Sequence, residues 1–168
     1  MLGQFYFRVF RWQDAWFAMA KGGVLYRSDD GLTRFVPGSN PLPGGDARDE
    51  DGNTPGPRHV ALHRVGDELR VYYSNIGDAP ERILRRRIQL TADWKRWTAG
   101  PAEEVLRPET EAEGANRPLR PSVAGAMKDR ENALRDPAIF EDADGRVYLL
   151  YSVAGESGVG IAELASKP

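Results

Sequence analysis

Short runs of aromatic and β-branched residues, rather than a helical spacing, organise this 168-residue chain. In GDELRVYYSNIG (66–77) and DGRVYLLYSVAG (144–155), apolar residues cluster between Gly and Asp at either end. Such runs predict strands, and Asp144-Gly145 is a strong hairpin dipeptide. The same reading places strands over 6–12, 15–20 and 24–28, with turns at Gln13-Asp14 and Gly22-Gly23. It places further strands over 58–65, 69–75 and 82–90, with a turn at Gly66-Asp67. Apolar residues at i, i+3, i+4 and i+7 recur nowhere long enough to predict a helix. VYLLY (147–151) is apolar on both faces, which predicts a strand covered on both sides. LRRRIQL (84–90) alternates, with Arg85, Arg87 and Gln89 on one face. That predicts a half-exposed outer strand whose charges block edge-to-edge pairing, and not a nucleic-acid patch.

Three β-rich modules result, at 6–38, 58–100 and 134–164, separated by long loops at 39–57 and 101–133. The modules look like repeats. Aligning 66–77 with 144–155 sets Tyr73-Ser74 against Tyr151-Ser152. VLYRSDDGLTRF (24–35) corresponds to RIQLTADWKRW (87–97): a strand, a hydroxyl residue, an Asp, an aromatic. Repeats of antiparallel strands predict an all-β domain over 1–168 built of about three four-stranded, β-propeller-type blades. Propellers have about four to eight blades, so three do not close a ring. The expectation is a chain shortened at its N-terminal side, or one that self-associates through open blade edges.

Composition narrows the functions. Hydrophobic residues make up 40% and charged residues 29%, as in an ordinary soluble domain. The net charge of −2 offers no footprint for nucleic acid or an anionic membrane. No apolar run approaches the roughly 20 residues of a membrane helix. The N-terminus lacks the pattern of a secretory signal, so the expected location is cytoplasmic. With no Cys, disulfides and thiolate chemistry are excluded. DARDEDGN (46–53) lacks the spacing of a calcium loop. His59 and His63, the two histidines, fall on one face of a strand about 13 Å apart, too far to share a metal. No metal or cofactor is expected.

Arg135-Asp136-Pro137 at the head of the DGRVYLLYS hairpin, with SDDGLTRF (28–35) and TADWKRW (91–97), resembles the five-bladed β-propeller glycoside hydrolases of the family 43 and family 32 type. The resemblance covers most of the chain outside the first loop. It implies that the first strand of each blade lines a central funnel whose occupant is a carbohydrate. The residues at those strand starts are Arg8, then Arg58 and His59, then Arg135 and Asp136. It gives Asp136 the role of a carboxylate that stabilises an oxocarbenium-like transition state, kept ionised by Arg135. Glu113, in the Glu-Gly context of EAEGANRP (111–118), becomes the proton donor. Glu156, after Gly155, is a further exposed carboxylate. The residues also admit plainer roles. Asp-Pro is a good strand starter, and Glu113 follows Glu109 and Glu111 in an acidic loop. The first-blade Asp that such enzymes use as a base has no counterpart here. The implied function is carboxylate acid/base hydrolysis of a glycosidic bond. The alternative is a non-catalytic carbohydrate-binding or interaction module on the same scaffold.

Overall fold

A computed structural model describes residues 2–42 and 56–165 of the chain. Among these residues there are three antiparallel sheets and no α-helix. The first sheet is β1 (Arg8–Trp12), β2 (Ala15–Met19), β3 (Leu25–Ser28) and β4 (Val36–Pro37), in chain order. The second is β5 (Gly56–Val65), β6 (Glu68–Ile76), β7 (Ile83–Gln89) and β8 (Glu103–Leu106). The third is β9 (Arg135–Glu141), β10 (Val147–Val153) and β11 (Gly158–Glu163), with β10 in the middle. Each sheet is a meander in which neighbours in sequence pair, and none closes on itself. The segment DARDEDGN (46–53) lies outside the described residues.

The turns follow local chemistry. Gln13-Asp14 is a two-residue link between the paired Trp12 and Ala15. Gly66-Asp67 links Val65 to Glu68. Gly145 supplies the left-handed backbone of the third hairpin, at φ 84°. Gly22-Gly23 stands in a turn as expected, the 3-10 turn Lys21–Gly23, where Gly22 takes a left-handed backbone at φ 75°. In SDDGLTRF the Asp30 carboxylate accepts hydrogen bonds from the amides of Leu32 and Thr33, at 2.9 and 2.8 Å. The segment ends in the buried Phe35. TADWKRW makes a 3-10 turn, Trp94–Arg96, and buries Trp97, whose indole donates to the Thr91 carbonyl at 2.9 Å. Both motifs therefore turn the chain after a sheet's third strand and plug an aromatic ring into the core.

The second sheet is the centre of the packing. Its Val60, Leu69, Val71, Leu84 and Ile88 join Trp12, Phe17, Met19 and Leu25 of the first sheet in one core. Its opposite face, through Ala61, Tyr72 and Ile83, meets Leu149 and Tyr151 of the third sheet, with Leu134 between. Each fully buried Leu, Ile or Val contributes about 1.5–3 kcal/mol. The strand covered on both sides is thus β6. On β10 only Leu149 and Tyr151 are buried, while Tyr148 and Leu150 are half-exposed. They share the outer side of the third sheet with the exposed Phe140 and Ile161.

Two further expectations are corrected. LRRRIQL is not outermost, because β8 pairs beyond it and Glu103 binds Arg85 and Arg87. The loop at 101–133 therefore contains a strand. Its sequence, EEVL, is too short and too polar to show alternation.

Candidate functional site

The site begins with matching irregularities in two strands. Between the pairs Pro57↔Asn75 and Val60↔Tyr73, β5 advances one residue more than β6. Between Arg135↔Ser152 and Ala138↔Leu150, β9 advances one residue more than β10. Such bulges bend a strand and re-aim its side chains. The first falls on Arg58-His59 and the second on Asp136-Pro137. At the second, Pro137 lacks an amide for the ladder, and Asp136 adopts a left-handed backbone, φ 49°, which Asp tolerates better than most residues.

At each bulge, within the first and just before the second, an arginine turns inward, and the polar residue that follows it turns outward. Arg58 and Arg135 converge on Glu81, which is fully buried. Arg58 binds it in a fork, Nε to Oε1 at 2.9 Å and Nη2 to Oε2 at 3.2 Å. Arg135 donates through Nε to Oε2 at 2.8 Å. The Ser74 hydroxyl donates to Oε1 at 2.7 Å. Arg135 also reaches Glu131 at 2.5 Å and lies 3.6 Å from Glu156. Arg58 goes further and donates to the carbonyls of Gly125 and Val123, at 3.1 and 2.6 Å, which fastens the segment around 123–125 over the site.

The outward partners meet each other. His59 Nδ1 contacts the Asp136 carboxylate, and the Ser152 hydroxyl donates to Asp136 Oδ2 at 3.1 Å. Tyr6 lies against the imidazole, with ring centroids 3.7 Å apart. Burial first, then the charges of Arg58 and Arg8, lower the His59 pKa to about 4. The ring is therefore neutral near pH 7. An ionised carboxylate only accepts, so Nδ1 carries the proton and Nε2 keeps a lone pair.

These groups line a cavity of about 420 Å³, formed by Tyr6, Arg8, Lys21, Arg58, His59, Asp136 and Glu156 with apolar atoms of Ile76 and Ala126. A larger concavity of about 740 Å³ lies between Arg27, Asp30 and Trp94. Its Asp30 already accepts hydrogen bonds from its own turn, and none of the strand-start residues reaches it. The smaller cavity is the candidate site.

Four of the six residues anticipated from sequence line it together: Arg8, Arg58, His59 and Asp136. Arg135 lies beneath it, fully buried. Glu113 stands apart and does not line the cavity. Its Oε2 accepts from the amides of Glu109 and Thr110 and from the Thr110 hydroxyl, at 3.1, 3.0 and 3.0 Å. Its Oε1 accepts from the Tyr151 hydroxyl at 3.1 Å. Burial raises the Glu113 pKa, but these hydrogen bonds outweigh it and hold the carboxyl below its usual range. That is the opposite of what a proton donor requires. Glu113 fixes a turn.

Glu81, Tyr6 and Lys21 were not visible as site residues. Glu81 sits in DAPERIL and reads as a surface acid. The signal that could have found it is indirect. Two arginines at equivalent strand starts would be buried together and need one counter-charge. Among the described residues no cluster of three or more His, Asp or Glu could hold a metal ion. No helix among them is long and apolar enough to cross a membrane.

No protein-family model matches the chain. An uncharacterised protein, R118, of Acanthamoeba polyphaga mimivirus is 44% identical over 170 residues. That match takes in 97% of this chain and 47% of the viral protein, so the chain spans about half its relative's length. Among solved structures, the alpha-L-arabinanase of Cellvibrio cellulosa superposes with a TM-score of 0.58 at 18% identity, over 96% of this chain and 48% of that one. An exo-beta-1,3-galactanase of Clostridium thermocellum gives 0.60 at 15% identity, over 98% and 35%. A GH43 beta-1,3-galactosidase solved with galactodeoxynojirimycin gives 0.59 at 13%, over 95% and 57%. At these identities the likeness is one of fold. The three sheets have the architecture of the propeller in glycoside hydrolases of the family 43 kind.

Proposed function

We propose that the cavity binds a carbohydrate and that the chain belongs to a protein that hydrolyses a glycosidic bond. The observation that carries this reading is the placement of Asp136. It stands at a bulge, in a left-handed conformation, with its carboxylate held by His59 and Ser152 at the wall of a cavity. A conformation of this kind costs about 1–3 kcal/mol and persists where its surroundings enforce it.

The chemistry fits the groups present. As the bond to the leaving oxygen breaks, positive charge grows on the sugar ring, and a fixed carboxylate nearby stabilises it. Asp136 serves there. Hydrolysis needs a second acidic side chain to handle the proton of the leaving oxygen or of the attacking water. Glu156 is the other carboxylate of the cavity and takes that part in place of Glu113. His59 Nε2 accepts a hydrogen bond from a sugar hydroxyl, and Arg58 donates at the cavity wall. Tyr6, whose ring lies against His59, lines the cavity beside them.

A panel of aryl glycosides, assayed with the wild-type chain and with Asp136→Asn and Glu156→Gln, tests this. Turnover of one sugar class that both substitutions reduce at least a hundredfold supports the reading. Binding of that class without turnover means a carbohydrate-binding module instead.

A further inference from the structure

We propose that the carbohydrate is an acidic one, with a carboxylate or sulfate group that Arg8 and Lys21 receive. This rests on the reading of the cavity as a sugar site and narrows the class of sugar.

Opposite charges stand on opposite sides of the cavity. Arg8 opens β1 and Lys21 opens the 3-10 turn after β2, so both cations come from the first sheet. Asp136 belongs to β9 and Glu156 to the turn between β10 and β11, so both carboxylates come from the third. Arg58 and His59 of the second sheet stand between them. The inner charges cancel, because Arg58 and Arg135 are matched by Glu81 and Glu131, and Glu156 adds a further negative charge 3.6 Å from Arg135.

Arg8 and Lys21 are different. Neither forms an ion pair with a carboxylate among the described residues. Among the described residues the Arg8 side chain makes one hydrogen bond, Nε to the Val60 carbonyl at 3.3 Å, through neither of its terminal nitrogens. The Lys21 ammonium lies 4.9 Å from the centroid of the Phe5 ring. Phe5 itself is largely exposed. Their charge reaches the cavity, since both depress the protonation of His59.

Arg8 is exposed and Lys21 half-exposed, so water screens both, and a neutral sugar would displace some of that water without supplying a counter-charge. An anionic substituent satisfies both, and charge-assisted hydrogen bonds are about twice as strong as neutral ones. It also sets the ring's direction. The like-charged wall of Asp136 and Glu156 repels the anion, so the anionic group lies toward the first sheet and the glycosidic carbon toward the third.

Matched pairs of methyl glycosides test the inference: glucuronide against glucoside, galacturonide against galactoside, and galactoside 6-sulfate against galactoside, by calorimetry at low salt. The expected result is that one anionic member binds at least tenfold tighter than its neutral partner. That ratio should fall in 0.5 M NaCl. It should fall toward one in Arg8→Gln and Lys21→Gln, and survive in Arg8→Lys. Thermal melts confirm that each variant folds. Equal binding of the two members overturns the inference and leaves the sugar reading intact. Binding of inorganic sulfate with no sugar of either kind, or no binding at all, overturns both.

Discussion

Replacing Glu81 with Ala tests how the two halves of the site are held. Glu81 is fully buried and accepts two hydrogen bonds from Arg58, one from Arg135 and one from Ser74. Arg58 and Arg135 come from different sheets and are themselves buried. Breaking a buried ion pair by removing one partner costs about 3–5 kcal/mol, since the remaining charge is stranded away from water. Here two guanidinium groups lose their shared partner, but Arg135 keeps Glu131 at 2.5 Å. The expected loss for Glu81→Ala is therefore the single-pair figure, about 3–5 kcal/mol, and not twice that. Against a total of about 5–15 kcal/mol it leaves a marginal protein. Glu81→Gln keeps the shape and one acceptor and should cost about 1.5–3 kcal/mol. Urea unfolding followed by tryptophan fluorescence reads the difference as a shift in midpoint at constant slope. Combining Glu81→Met with Arg58→Met and Arg135→Met should recover much of the loss, because the desolvation of all three charges disappears with them. A loss below about 1 kcal/mol for Glu81→Ala would refute the reasoning.

Three further outcomes follow from particular contacts. Leu149 is completely buried between the second and third sheets, so Leu149→Ala should cost about 2–5 kcal/mol in the same unfolding assay. The His59 pKa is lowered from 6.5 to about 4 in the folded chain. The unfolded chain then binds the extra proton between those values, and stability falls as pH drops from 6.5 toward 4, by up to roughly 3 kcal/mol. Urea midpoints at pH 7 and pH 4.5 should converge in His59→Gln relative to wild type; a midpoint that rises on acidification would show an imidazolium paired with Asp136 instead. Glu113→Ala should cost about 1–3 kcal/mol through the orphaned turn amides and leave the affinity for the sugar unchanged, as calorimetry would show.

The legible part of the fold was its strand pattern, because alternation and Gly/Asp turns are local. Gln13-Asp14, Gly66-Asp67 and Asp144-Gly145 all stand where expected. Of the candidate residues, the strand-start set Arg8, Arg58, His59 and Asp136 lines one cavity. The rest depends on registers and on burial, which are not local. A bulge is one residue of slip between two strands, and neither strand's sequence announces it. Glu81 reads as a surface acid until two arginines from different sheets are seen to close on it. The contacts of Glu113 are not legible in its sequence, because its partners, the amides of Glu109 and Thr110 and the Tyr151 hydroxyl, come from the backbone and from another strand. VYLLY is apolar on both faces, yet only the side toward the second sheet is buried.

The most direct test of the central claim is binding of the preferred sugar to wild type and to Asp136→Asn, with turnover measured on its aryl glycoside. The substitution keeps the hydrogen-bonding shape beside His59 and Ser152 and removes the charge. The account predicts a folded variant that still binds the sugar within a few-fold and has lost turnover by at least a hundredfold, about 2.7 kcal/mol of transition-state stabilisation. Undiminished turnover in Asp136→Asn would contradict it.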